Sequence, residues 1–305
     1  MAKELPVIQP GQSPATRKPI FEKIGILGLG LIGGSIALKA RELWPTSLVI
    51  AVDNKNVLET AMRLHAIDVA ANDMIVLAEA DLVVLAAPVK QNVALLAELD
   101  EYVRQPAVVT DTGSTKREVV AAAAALPPRL SFIGGHPLAG AALGGLENAR
   151  TDLFAGRPWL LTPAPTPSEG ARAFQASASV ERLSEFVRAL GAEPRVVSAD
   201  AHDRMLAFLS HLPQLTASAL MQVVGDAVGQ DGLALAGRGL ADTTRLASSP
   251  ADIWRDIAAT NADEIGSALD ALIAVLQDLR TDLAEGDLLA DVFDRAARWR
   301  ASLKK

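Results

Sequence analysis

Residues 24–35 read Ile-Gly-Ile-Leu-Gly-Leu-Gly-Leu-Ile-Gly-Gly-Ser, and this stretch decides the fold. It begins as a short apolar run, passes through Gly28-x-Gly30-x-x-Gly33, and ends in residues suited to a helix. A GxGxxG between a strand and a helix is a phosphate-binding turn. Gly28 permits the tight turn and Gly30 lets backbone approach a pyrophosphate. Gly33 lets the helix lie close to the sheet, and the helix start at Leu31 and Ile32 offers N–H groups to negative charge. Twenty residues past Gly33, the run Val49-Ile-Ala-Val-Asp53 ends in a carboxylate. A carboxylate there accepts from the adenosine ribose hydroxyls and repels a 2′-phosphate, so the motif points to NAD rather than NADP.

Outward from this turn, short β-branched runs alternate with helical segments. The runs are Ile24–Leu27, Leu48–Val52, Leu82–Ala86, Ala107–Thr110, Phe132–Gly134 and Trp159–Thr162. Nearly all their residues are apolar, as in strands of a parallel sheet covered on both faces. Helices are expected near Gly33–Arg41, Val57–His65, Asn92–Arg104 and Lys116–Ala125. After a Pro-rich loop at residues 163–170, Val180, Leu183, Phe186, Val187 and Leu190 share one helix face that Gly191 ends, and Glu193–Ser198 reads as a last strand. No strand pattern follows Ala199. The expected architecture is a Rossmann-type α/β doubly wound parallel sheet followed by an all-helical C-terminal domain. The boundaries are a disordered tail over residues 1–20, a dinucleotide-binding domain over 21–198, and a helical substrate-binding and dimerisation domain over 199–305. In the last, Ile265, Leu269, Leu272, Leu276, Leu279 and Leu283 form a heptad seam. Such a seam packs either within the chain or against a second subunit; the second choice predicts a homodimer.

The bulk numbers bound the function. A chain of 305 residues, half of them apolar, accommodates two domains. A net charge of −7 offers no basic field to phosphates, which argues against a nucleic-acid partner. Without a single cysteine, disulfides and thiolate chemistry are excluded, in keeping with the cytoplasm. The polar, Pro-rich start is unlike a secretory signal, and no run of about 18 apolar residues suggests a membrane span.

Two further loops follow strands at the carboxyl edge of the sheet, where doubly wound folds bind ligands. One is Asp111-Thr-Gly-Ser114-Thr-Lys116 and the other Gly134-Gly-His136-Pro-Leu-Ala-Gly140. Flanking glycines leave the His136 ring reachable, and a histidine titrates near neutrality, as a general base must. Ala87-Pro88 ends the strand that flanks the nicotinamide side of such cofactors; its small apolar residues would let a cofactor pass. In the helical part stand His202-Asp203, then Ser210-His211-Leu-Pro-Gln214, with Pro213 kinking or restarting a helix. Beyond lie Gly237-Arg238-Gly239-Leu-Ala-Asp242-Thr-Thr-Arg245-Leu-Ala and Trp254-Arg-Asp-Ile. No His/Asp/Glu spacing suggests a metal site.

Taken in order from about residue 22 to about residue 300, these motifs resemble the prephenate and arogenate dehydrogenase family. The resemblance implies NAD-dependent oxidative decarboxylation of prephenate to 4-hydroxyphenylpyruvate in tyrosine biosynthesis. His136 would be the base on the ring hydroxyl and Ser114 would orient that histidine and the substrate. Arg245 would bind a substrate carboxylate, with Arg238 next in line, and Ser210, His211 and Trp254 would line the pocket. Gln214 stands where some prephenate-specific members carry a second histidine, which leaves open arogenate or dual-substrate activity. The chain ends without an appended effector domain, so feedback through one is not expected. Two other readings compete. β-Hydroxyacid dehydrogenases place an acid–base lysine in the helical domain, but there is no lysine between residues 170 and 302. A non-catalytic NAD-binding protein would have no need of His136 and Arg245 in their motifs.

Overall fold

In a computed structural model, residues 18–140, 144–164 and 171–303 are described. Most of the expected N-terminal tail, and all of the Pro-rich loop but Pro163 and Ala164, lie outside them. The chain divides into two units, Met1–His202 and Asp203–Lys305.

In the first unit, β1 (Lys23–Leu27) leads into α1 (Leu31–Leu43), β2 (Leu48–Val52), α2 (Lys55–Arg63) and β3 (Val69–Ala71). The chain then crosses to the other side of β1, with β4 (Leu82–Leu85), α3 (Val89–Tyr102), β5 (Ala107–Asp111), α4 (Arg117–Ala122) and β6 (Leu130–Pro137). β7 (Pro158–Pro163), α5 (Ala171–Ala189) and β8 (Glu193–Val196) complete one eight-stranded sheet of order β3-β2-β1-β4-β5-β6-β7-β8. The strand order reverses between β1 and β4, which opens a crevice at their carboxyl ends.

Alternation along each strand builds a core on both faces. Leu82 and Val84 face one side with Ile24, Ile26, Ile36 and Ala40 of α1, and Leu183, Phe186 and Val187 of α5. Val83 and Leu85 face the other with Leu96 and Leu99 of α3 and Val119 of α4. Each Val, Leu, Ile or Phe among them, fully buried, contributes about 1.5–3 kcal/mol. Gly191, at φ +95°, turns the chain out of α5 as its position suggested.

Two differences from the expected sheet matter. β7 runs antiparallel to β6, and β8 parallel to β7, so the sheet is mostly rather than wholly parallel. A parallel partner needs a crossover, usually a helix; the described residues between β6 and β7 hold only a 3₁₀ turn at Leu146–Asn148. The other difference is β6 itself, which continues past Gly134 to Pro137. His136 therefore lies within a strand rather than in a loop after one. β3 was not foreseen, because Val-Ala-Ala is too short to show a pattern.

α6 (Ala199–Leu206) ends in a π-turn at Ala207–His211 that runs directly into α7 (Leu212–Leu233). α8 (Arg238–Thr243), a 3₁₀ turn at Arg245–Ser248, α9 (Ala251–Thr260), α10 (Ala262–Thr281) and α11 (Asp287–Ser302) follow, and no strand occurs among the described residues of the second unit. Its core is thin: Ala207, Ile257, Ile265 and Ala268, with Leu212, Leu215, Trp254 and Leu269 against them. Along the heptad seam Ile265 is buried, but Leu276 and Leu283 are exposed.

Candidate active site

The glycine turn has the geometry a pyrophosphate needs. Gly28 sits at φ +96°, and a Cβ there would stand 2.8 Å from the Ala86 backbone. A Cβ on Gly33 would meet the Gly28 carbonyl oxygen at 2.0 Å, so only glycine permits this approach of α1 to the sheet. Gly30 is different: a Cβ on it would meet nothing within 4 Å. Its hydrogen would point into open space at the start of α1, a helix whose N-terminus has no side-chain cap. The N–H groups of the first turn, Leu31 and Ile32 included, are thus available to an anion. Asp53, just past β2, accepts from Leu29 N at 2.6 Å and from Asn54 N at 2.6 Å. Those bonds, with a third from Asn54 Nδ2 to Oδ1 at 2.8 Å, fix its carboxylate beside the turn, and Oδ2 retains a lone pair for a ribose hydroxyl. On the opposite lip, Ala87 N donates to the buried Asn92 Oδ1 at 3.2 Å, and Asn92 Nδ2 donates to Leu85 O at 3.2 Å. Asn92, which the sequence reading missed, thereby shapes the Ala87-Pro88 corner. These residues fit a dinucleotide.

Two strands along from β4, His136 is half-buried near the carboxyl end of β6. Its Nδ1 lies 2.9 Å from Nε2 of His202, a fully buried residue of α6. The rings are tilted by 55° with centroids 5.1 Å apart. His202 had been noted only as part of a polar helix; 66 residues separate it from His136, so no local signal pairs them. Ser114 is half-buried in the turn between β5 and α4. Beneath that turn lies a buried ion pair between Asp111 and Lys116, both wholly inaccessible.

In the helical unit, His211 is buried; its Nδ1 lies 3.3 Å from Asn261 Nδ2, and its ring meets Trp254 edge-on at 6.0 Å. Asn261 also donates to Asp203 O at 2.9 Å. Ser210 is half-buried at the π-turn. Gln214 is buried with both ends of its amide engaged. Nε2 donates to Leu246 O at 2.8 Å and to Ser218 Oγ at 3.3 Å, and Oε1 accepts from Ser249 Oγ at 3.2 Å. It therefore ties down the turn that carries Arg245. Arg245 itself is exposed and forms no ion pair among the described residues. Arg238 opens α8 and is also exposed.

Fold and sheet edge together define a dinucleotide-dependent dehydrogenase. The nucleotide-binding domain of prephenate dehydrogenase matches residues 36–192, and the prephenate dehydrogenase dimerization domain matches residues 198–294. The chain belongs to the prephenate dehydrogenase family. It is 34% identical to the prephenate dehydrogenase of Bacillus subtilis over 87% of this chain and 71% of that one. It is 31% identical to the cyclohexadienyl dehydrogenase of Zymomonas mobilis over 93% of this chain and 97% of that one. A crystal structure of prephenate dehydrogenase from A. aeolicus, in complex with hydroxyphenyl propionate and NAD+, superposes with a TM-score of 0.83 at 25% identity, covering 93% of this chain and 98% of the other.

Proposed function

We propose that this chain is an NAD-dependent prephenate dehydrogenase in which His136 is the general base. The observation that carries the residue assignment is the His136–His202 hydrogen bond. In the tautomer in which Nδ1–H of His136 donates to His202, Nε2 of His136 bears the lone pair a base requires. Prephenate presents a ring hydroxyl and a hydrogen on C4 and a carboxylate on C1. Nε2 takes the hydroxyl proton as the C4 hydride departs. Bound NAD supplies the hydride acceptor. The C1–carboxylate bond then breaks, its electron pair enters the ring, and carbon dioxide leaves; aromatisation to the phenol drives the sequence. Arg245 is assigned a substrate carboxylate, for which its planar guanidinium is suited. Ser114 is assigned the orientation of His136 and the substrate, and Ser210, His211 and Trp254 the walls of the pocket. Gly28, Gly30, Leu31, Ile32, Gly33, Asp53, Ala87 and Pro88 are assigned to NAD. Residues 21–198 would form the cofactor domain and 199–305 the substrate and dimerisation domain.

Arogenate, which carries an amino acid where prephenate has a keto acid, is the second substrate to weigh. Both N–H donors of Gln214 are engaged by Leu246 and Ser218, while Oε1 accepts from Ser249 and keeps one lone pair, so this neutral residue favours neither substrate by charge. Prephenate preference with tolerance of arogenate is the order proposed, because residues 210–214 hold no carboxylate to pair with an ammonium. A homodimer through the helical unit accords with the exposed seam, and a cytoplasmic location with the absence of cysteine; no helix among the described residues is long and apolar enough to cross a membrane. The test is NADH formation with each substrate on one preparation. No NADH from prephenate would refute the activity, and a preference for arogenate beyond about tenfold, about 1.4 kcal/mol in transition-state binding, would reverse the order.

A further inference from the structure

We propose that the Asp111 carboxylate, neutralised by Lys116, acts as a substitute strand partner that holds β6 extended as far as His136, making Asp111 and Lys116 positioning residues for the base. The ladder between β5 and β6 pairs Ala107 with Leu130 and ends at Thr110 with Ile133. After Asp111 the backbone leaves the sheet for the Ser114 turn, so Gly135 N–H faces no strand on that side. The Asp111 side chain fills the gap: Oδ1 accepts from Gly135 N at 3.0 Å. Oδ2 accepts from Gly113 N at 2.8 Å, inside the Ser114 turn, and from Lys116 Nζ. One carboxylate thus joins the strand of His136 to the turn of Ser114.

The glycines leave room for this arrangement. A Cβ on Gly135 would stand 2.4 Å from Asp111 O, and one on Gly134 would stand 2.1 Å from Thr162 Oγ1 and 3.2 Å from Lys116 Cδ. Gly-Gly before the histidine is therefore required by what packs beneath it, in addition to leaving the ring reachable. The ammonium matters because burying a charge without a partner is costly. On the other side, β7 pairs Leu160 with His136, so β6 reaches its end held between a strand and a carboxylate.

This proposal rests on His136 as base. Its test uses paired variants in the full chain, so that no lone charge stays buried. D111N/K116M keeps an acceptor for Gly135 N–H; D111L/K116M removes it at similar volume. The D111L/K116M chain should lose about a hundredfold in kcat, with KM for prephenate and NAD changed less than about threefold, the pattern of lost positioning in the transition state. D111N/K116M should recover at least about tenfold of that loss. Equal loss in both, or a Leu variant with parental kcat, overturns the clamp. If D111L/K116M does not fold, amide hydrogen exchange in the parent decides. A protected Gly135 amide supports the bond, and exchange at the rate of an open loop refutes it. His136→Asn separates the two readings: if it keeps its rate the base assignment fails, whereas the clamp fails on the Gly135 amide while His136→Asn still loses activity.

Discussion

The two units of this chain solve folding differently. The first buries apolar residues on both faces of its sheet and leaves few large ones exposed, such as Met62 and Ile75. It also affords a wholly buried ion pair and the buried histidine His202 beside His136. The second has a thin core and exposes Val275, Leu276, Leu283, Phe293 and Trp299. Exposed apolar side chains are what a dimerization domain, the kind that residues 198–294 match, would cover. The difference teaches a division of labour. On the proposed reading, chemistry sits on strands whose geometry is over-determined, while the helical unit would supply binding groups on short turns and be completed by association.

That division can be broken by kinetics. The largest effect is expected at His136: His136→Asn should lower kcat by roughly 10²–10⁴-fold while leaving prephenate affinity near the parent's, the worth of a positioned base. A parental rate would remove the chemistry from the first unit. Arg245→Ala should act in the other direction, raising KM by about 10–100-fold with a smaller change in kcat, because a carboxylate is bound in the ground state too. A normal KM would reassign the carboxylate, with Arg238 the next candidate.

The comparison is sharpened by assembly and by cofactor choice. Light scattering should report twice the 32.0 kDa of the chain, and Leu276→Asp, placing a charge in the exposed seam, should return it to one. A parent that is already monomeric would mean the helical unit needs no partner. The smallest effect is expected at Asp53. Asp53→Ser should narrow the preference for NAD over NADP by about tenfold, as measured by the ratio of kcat/KM values. A parent that prefers NADP would contradict the reading of that loop.

Much of the first unit was legible because its signals are local. The glycine turn, the apolar runs and Asp53 each lie within one βα step, and the turn geometry at Gly28 and Gly33 is what the motif predicts. What escaped is what depends on residues distant in sequence. The bond from His202 to His136 spans 66 residues, and the extension of β6 depends on a side chain of β5. The reversal of β7 goes with a link that holds no α-helix among its described residues. Asp111 and Lys116 were both in view in the quoted loop, but burial turns an ordinary surface pair into a clamp, and burial is not visible in a motif. In the helical unit, Gln214 looked like a substrate contact because of where it falls in its motif. What no motif shows is that its amide also holds the Arg245 turn, through Leu246, 32 residues away.

The account stands most directly on the stoichiometry of the reaction. Purified chain supplied with NAD and prephenate should release NADH and carbon dioxide in equal amounts as 4-hydroxyphenylpyruvate forms. NADH without carbon dioxide, or prephenate left unconsumed, would contradict it.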